Sequence, residues 1–133
     1  MHLIKKSAIA IIRNKKILMV REHGENYYKT LGGKPEGNES FEEALEREIM
    51  EEIGCKINTE SIKFYGIFED VAANKPDTMV EITMYRGEII GEPVPSGEIE
   101  EIVWIDSACK PELLSPIMNN RIIPALLRDG LID

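Results

Sequence analysis

Residues 32–55 read GGKPEGNESFEEALEREIMEEIGC, and this stretch decides how the rest of the chain is organised. Ser40, followed three residues later by Glu43, forms a capping box, which predicts a helix that begins near Ser40. Gly54 predicts the end of this helix, because glycine readily adopts the left-handed conformation that terminates helices. The glycine-rich segment before Ser40 predicts a loop whose backbone can lie close to a ligand.

The predicted helix carries carboxylates beside its apolar face. At about 100° per residue, Glu48 and Glu52 fall among the apolar positions and Glu51 lies at their margin. Carboxylates at positions i, i+3 and i+4 that lie partly over a core repel one another and lose hydration. Clustered hard oxygen ligands suit Mg²⁺ or Mn²⁺, so we predict a metal site, with a solvated acidic face as the alternative. The apolar positions are Phe41, Ala44, Leu45 and Ile49.

The whole stretch resembles the Nudix box, the signature of the Nudix hydrolases. Cys55 stands where the family has an aliphatic residue, a small departure because a thiol packs as a small hydrophobe. Seven fixed residues at about 7% usage each would match by chance roughly once in a hundred million placements. The residues that keep the spacing of the signature are Gly33, Glu39, Arg47, Glu48, Ile49, Glu51, Glu52 and Gly54.

The resemblance implies both a fold and a set of site residues. The fold is the Nudix fold of the α/β (α+β) class, a mixed β-sheet sandwiched between helices, in a single domain over residues 1–133. Glu48, Glu51 and Glu52 would be catalytic and hold the metal, with the backbone carbonyl of Gly32 as a further ligand. Four residues of the box would be structural rather than catalytic: Gly33, Glu39, Arg47 and Gly54.

A fourth acid is expected from outside the box, on the segment after residue 97. Glu98 is the preferred candidate, because it follows a Pro-Ser-Gly loop and has the freest approach to the site. Glu100 and Glu101 are the alternatives, and any of the three could instead be a solvated charge on a strand edge.

Three further residues are candidates for contacts with a substrate. Arg21 ends a predicted strand, where it could hold a phosphate bidentately or form a surface salt bridge. Tyr28 could stack on a nucleobase or simply pack. By resemblance to Nudix enzymes that clear oxidised purine nucleotides, Asn119 or its neighbour Asn120 could pair with a purine edge, with an ordinary capping or surface role as the alternative.

The strand pattern predicts a mixed sheet with helices on its faces. Two β-rich runs, residues 7–12 and 17–22, are joined by a turn and predict a hairpin. Further strands are expected over residues 62–68, 78–90 and 102–106, with a turn over 74–77. A C-terminal helix should start at Ser115 and Pro116 and be kinked or split by Pro124.

Composition limits the class of protein. With 133 residues, 43% hydrophobic and 30% charged, the chain is expected to form one domain with a substantial core. A net charge of −8 without a basic run argues against an anionic-membrane protein or a stable nucleic-acid complex. Two cysteines are too few for a disulfide scaffold, and no segment reads as a signal peptide or a membrane span, so a cytoplasmic setting is expected.

The resemblance to the Nudix hydrolases implies Mg²⁺-dependent hydrolysis of a nucleoside diphosphate linked to a group X. The preferred substrate is a (d)NTP such as 8-oxo-dGTP, as a small-molecule partner; a homodimer stays open. The alternatives are ADP-ribose, a dinucleoside polyphosphate or an RNA cap, or a sensing module that does not turn its nucleotide over. With two histidines and no Gly-Lys-Ser/Thr ending in the glycine loop, a serine triad and a P-loop are both disfavoured.

Overall fold

The computed structural model describes residues 2–133. The fold contains two sheets and two α-helices. The strands are β1 His2–Ala10, β2 Ile12–Arg13, β3 Lys16–Glu22, β4 Leu31–Gly33, β5 Lys56–Ala72, β6 Lys75–Ile90 and β7 Ile99–Ile105. The helices are α1 Phe41–Ile53 and α2 Ile123–Arg128, preceded by a 3₁₀ turn Pro111–Leu113 and a π-helical turn Met118–Ile122.

The larger sheet is mixed, as predicted. Its strand order is β4-β1-β6-β5, in which β1 and β6 run parallel and the other two pairs are antiparallel. The smaller sheet is antiparallel, with the order β2-β3-β7. Within residues 2–133, no helix is both long enough and apolar enough to cross a membrane.

Side chains alternate across β1, so the strand contributes to two cores. Ile9 faces the core that also contains Leu45 and Ile49 of α1. Ala8 faces the core completed by the C-terminal helical segment, including Leu126. A sheet with both faces covered by helices buries apolar residues at consecutive positions. The predicted sandwich is therefore confirmed.

Helix α1 begins and ends where its caps were predicted. Ser40 is the N-cap, its side chain accepts a hydrogen bond from the Glu43 N–H, and the reciprocal bond of the capping box is present. Gly54 terminates the helix with φ 68°. One apolar position was assigned wrongly: Phe41 is 42% exposed. It occupies the first helical position, whereas the buried side chains of the helix start at Ala44.

The strands begin and end at other residues than predicted, because pairing with neighbouring strands sets their length. The β2–β3 hairpin turns through Asn14 and Lys15, both at positive φ, as the turn sequence predicted. Strands β5 and β6 are longer than expected, and they are joined by a tight turn at residues 73–74. The turn predicted over 74–77 was therefore misplaced, and residues 75–77 belong to β6.

Pro124 splits the C-terminal helix, as predicted. Proline lacks the N–H that a helix needs, and its ring clashes with the carbonyl four residues earlier. The chain relieves this clash by widening into the π-helical turn, in which the Ile123 N–H donates to the carbonyl of Met118. The widened turn carries the buried side chains of Met118 and Ile122 into the core.

Candidate active site

Strand β4 brings two glycines against the carboxylates of α1. A Cβ added to Gly33 would lie 2.7 Å from the Glu48 Cδ atom. Gly32 has φ +137°, and a Cβ there would collide with the carbonyl oxygen of Ser7 on β1. The Gly32 contact requires glycine, because a Cβ there would meet backbone atoms of β1, whereas a Cβ at Gly33 would displace the flexible end of the Glu48 side chain. The missing side chains therefore allow the backbone of β4 and the helix carboxylates to meet.

Glu52 is held beside this strand in an environment that disfavours its charge. The Gly32 N–H donates to the Glu52 Oε1 atom at 3.1 Å. Burial raises the pKa of Glu52 to about 8, and the charge of Glu48 adds to this effect, against the opposing effects of the Gly32 N–H and Lys29. Near neutral pH, a nearby cation would favour the ionised form that this site otherwise disfavours.

Glu48 shares this environment in a milder form. Burial raises the pKa of Glu48, although the Arg47 guanidinium acts in the opposite direction. The side chain of Glu48 is 19% exposed, whereas that of Glu51 is 59% exposed. The helix therefore presents two partly buried carboxylates and one solvated carboxylate one turn apart.

Arg47 links the loop before α1 to the helix. Its Nε donates to a Glu39 carboxylate oxygen at 2.9 Å, and its Nη2 donates to the carbonyl of Lys34 at 3.1 Å. Its Nη1 donates to Glu48 at 2.8 Å and lies 3.5 Å from Glu51. The guanidinium lowers the pKa of Glu39. Arg47 and Glu39 therefore tie the glycine-rich loop to the helix. A purely structural role for both residues stays a prediction.

The donors of this site fit a hard divalent cation by chemistry. Glu48 and Glu52 present carboxylate oxygens to one two-glycine segment, where burial leaves negative charge poorly solvated. Within residues 2–133, no three His, Cys, Asp or Glu side chains converge as a ready-made metal cage. Glu48 is turned toward Arg47, so a change of rotamer would be needed before all three glutamates could share one ion.

The segment that precedes Glu98 packs on the C-terminal end of α1. The Ser96 N–H donates to the carbonyl of Glu52 at 3.0 Å, and the Val94 N–H donates to the carbonyl of Ile53 at 3.0 Å. These bonds satisfy carbonyls that a helix end leaves unpaired. Glu98 therefore comes two residues after a segment that is hydrogen-bonded to the end of α1.

Glu100 and Glu101 have other partners. Arg21 donates to both of them at 3.1 Å, and the Tyr28 hydroxyl donates to Glu101 at 3.0 Å. Among the three candidate outer acids, Glu98 is the one whose side chain has no hydrogen bond or ion pair within the described residues. The structure thus gathers Arg21 and Tyr28 around Glu101, and a phosphate would have to compete with carboxylates for Arg21.

Asn119 lies near Tyr28, because Tyr28 pairs with Leu114, whose carbonyl accepts from the Asn119 side chain. Its side-chain Nδ2 donates to the carbonyl of Pro111 at 2.9 Å and to the carbonyl of Leu114 at 3.3 Å. The Asn120 amide donates instead to Asp70 at 2.9 Å. Both amide nitrogens are therefore used within the protein, and the side-chain oxygens are the groups left for a base edge.

Sequence reasoning missed three lysines that line a cavity beside β4: Lys6, Lys29 and Lys75. For Lys6, the sequence does contain a signal of this cavity. Lys6 alternates with Ala8 and Ala10 on the side of β1 that faces the C-terminal core, where a charged residue is unexpected. Strand β4 was also missed, because glycine is depleted in strands.

Comparison with known proteins agrees with this architecture. The family model described as NUDIX domain matches residues 3–119. A protein of Pasteurella multocida named NAD-capped RNA hydrolase NudC is 32% identical over 108 residues, which cover 79% of this chain and 39% of that protein. The chain spans less than half the length of the curated relatives it matches.

Two solved structures share the fold. The MutT NUDIX hydrolase from Burkholderia pseudomallei has a TM-score of 0.74 at 21% identity, covering 92% of this chain and 96% of that one. The NUDIX hydrolase from Nitrosomonas europaea has a TM-score of 0.74 at 19% identity, covering 96% and 90%. At these identities, the comparison shows that the folds are alike and nothing more.

Proposed function

This chain belongs to the NUDIX family, and from that premise we propose that it hydrolyses a nucleoside diphosphate linked to a further group X. The observation that carries the proposal is the position of Glu52. Its carboxyl is buried against the Gly32 N–H, with a pKa of about 8, and it has no salt bridge within residues 2–133. Such a group acquires its charge readily when a cation binds beside it.

In the proposed mechanism, Glu48, Glu51 and Glu52 hold one or more Mg²⁺ ions, with the Gly32 carbonyl as a further ligand; Mn²⁺ is an alternative ion. Bound Mg²⁺ would neutralise phosphate oxygens and lower the pKa of the attacking water. Glu98 would accept the proton of that water, since its carboxylate has no hydrogen bond or ion pair within residues 2–133. Arg47 and Glu39 would keep the glycine-rich loop fixed to the helix.

The preferred substrate is a small nucleotide of the (d)NTP class, including 8-oxo-dGTP. The net charge of −8 supports a small anion paired with metal over a long nucleic acid. Asn119 and Tyr28 are the proposed base contacts and Arg21 the proposed phosphate contact. The box retains every carboxylate, which supports an enzyme over a sensing module.

A second candidate is an ADP-containing pyrophosphate such as NADH or ADP-ribose. It is favoured by the relative from Pasteurella multocida, which is named as a hydrolase of NAD-capped RNA. We also propose a reducing, cytoplasmic setting, in which Cys55 and Cys109 stay free thiols.

The test is a panel of NTPs, dNTPs, ADP-ribose, NADH and dinucleoside polyphosphates, assayed with Mg²⁺ for released phosphate or pyrophosphate. Glu52→Gln should lower kcat by at least about a hundredfold, because a charged metal ligand is lost. Glu46→Gln, an exposed position of the same helix, is the matched control. Full activity in EDTA, or in Glu52→Gln, would remove the basis of the proposal.

A further inference from the structure

A cavity of about 150 Å³ lies on the side of the mixed sheet that faces the C-terminal helical segment. We call it the lysine cavity. Its apolar wall comes from Val80 and Ile82 of β6 and from Ile117 and Met118, which lie at the start of the helical segment that Pro124 splits. Hydrophobic residues therefore shape the space, and its charge comes from elsewhere.

The charged residues that line this cavity are all basic. Lys6, Lys29 and Lys75 contribute to the lining, and no Asp or Glu of the described chain does. The whole sequence has 24 acidic residues against 16 basic ones. A lining with three lysines and no carboxylate is therefore opposite in sign to the protein as a whole. Such a local field attracts an anion even where the net charge repels it.

Lys6 forms no ion pair with another side chain of residues 2–133. Within the same residues, Lys75 forms none either, whereas Lys29 pairs with Glu22 at 2.7 Å. Burial lowers the pKa of Lys6, and the charges of Lys29 and Lys34 act in the same direction, against the opposing charge of Glu22. A partly buried ammonium among other ammonium groups is destabilised, and a bound anion would relieve this.

The cavity adjoins the candidate active site. Gly32 lines it, and the N–H of the same residue donates to Glu52 at 3.1 Å. Lys29 also lines the cavity, and its positive charge lowers the pKa of the Glu52 carboxyl. A diphosphate bound through a cation on the helix carboxylates would therefore have one of its two substituents at the mouth of the cavity.

We propose that the lysine cavity is the subsite for X, and that X carries its own negative charge as a phosphate or a carboxylate. This inference rests on the proposed function, which it deepens by naming the class of X. A cavity of about 150 Å³ is comparable to one that holds benzene, so it has room for a phosphate or a small ring. Nucleoside triphosphates should then be preferred over nucleotide sugars whose X is neutral.

The test compares substrates with the same base that differ in X. UTP, UDP-glucuronate and UDP-glucose present a phosphate, a carboxylate and a neutral hydroxymethyl group, respectively. The wild-type protein should have a higher kcat/KM on a substrate whose X is charged than on UDP-glucose. Comparison of UTP with UDP-glucuronate then distinguishes a phosphate from a carboxylate. If uridine nucleotides are poor substrates, the nucleoside triphosphate and the nucleoside diphosphate sugar of the preferred base replace UTP and UDP-glucose.

Lys6→Met should lower the ratio of kcat/KM for charged over neutral X by at least about tenfold, which corresponds to about 1.4 kcal/mol. Lys75→Gln should lower it in the same direction, and it changes a more exposed lysine. Lys56→Met, at an exposed lysine outside the cavity, is the control and should leave the ratio unchanged. An unchanged ratio in both cavity variants, or a wild-type preference for neutral X, would overturn the inference.

A second measurement does not depend on turnover. Inorganic tripolyphosphate in EDTA should raise the Tm of the wild type and of Lys56→Met, and it should raise the Tm of Lys6→Met clearly less. Lys6→Met should itself fold, because it removes a partly desolvated charge. Equal shifts in all three proteins would contradict the anion subsite. A shift that depends on Lys6, in a protein that hydrolyses none of the panel, would support the subsite and refute the proposed function.

Discussion

Replacing Glu52 with Gln tests whether the carboxylates of α1 are poorly solvated without metal. Gln keeps the size of the side chain and an oxygen that can accept from the Gly32 N–H, while it removes the charge. In EDTA at pH 8, we expect Glu52→Gln to be more stable than the wild type. Near-saturating Mg²⁺ should then stabilise the wild type more than the variant.

The magnitude follows from the pKa of Glu52, which burial raises from 4.5 to about 8. At about 1.4 kcal/mol per tenfold change in proton affinity, this difference sets a ceiling of about 5 kcal/mol. The residue retains some exposure to solvent, so we expect about half of that, roughly 2–3 kcal/mol. For a chain of this length, the gain corresponds to roughly 8–12 °C in Tm. Mg²⁺ at a hundredfold excess over Kd should return about 2.7 kcal/mol to the wild type.

The pH dependence gives the sign. Below about pH 4.5 the carboxyl is neutral in both the folded and the unfolded chain, and the stability associated with its raised pKa is fully present. As the pH rises toward about 8, the unfolded chain releases the proton while the folded protein retains it, so that stability is lost. The difference in Tm between Glu52→Gln and the wild type should therefore widen between pH 5 and pH 8.

The assay is thermal unfolding in EDTA and in Mg²⁺ at pH 5, 6.5 and 8, with Glu46→Gln as the control for removing one helix charge. A wild type that gains nothing from Mg²⁺, beside a Glu52→Gln variant no more stable in EDTA at any pH, would show that these carboxylates are well solvated. The physical argument for the metal site would then be wrong, whatever reaction the protein catalyses.

Three other predictions concern the remaining parts of the site. Gly33→Ala should lower kcat at least about tenfold and lower Tm, because its Cβ would lie 2.7 Å from a helix carboxyl carbon; kinetics and melts together check this. Glu98→Gln should lower kcat more than Glu100→Gln with KM little changed, and the reverse ranking would move the outer acid away from Glu98. Asn119→Ala should change the ratio of kcat/KM for 8-oxo-dGTP over dGTP by about 1–3 kcal/mol if its oxygen contacts the base, and an unchanged ratio leaves this residue its hydrogen bonds to backbone carbonyls alone.

Local sequence determined the parts of this protein whose causes are local. The capping box at Ser40, the left-handed stop at Gly54 and the turn through Asn14 and Lys15 all follow from side chains acting within a few residues. Pro124 likewise forces a break in the last helix wherever that helix packs. The spacing of the box was enough to predict the fold family, which the match over residues 3–119 confirms.

Tertiary structure decided the features that depend on partners distant in sequence. Strand β4 exists because it pairs with β1, and Phe41 is exposed because the first turn of α1 lies beyond the buried positions. Arg21 meets Glu100 and Glu101 across strands that lie some 80 residues apart in the chain. The lysine cavity needs β1, β6 and the C-terminal segment together. Each of these features is set by burial and pairing between elements, and periodicity or capping signals within one element carry no information about them.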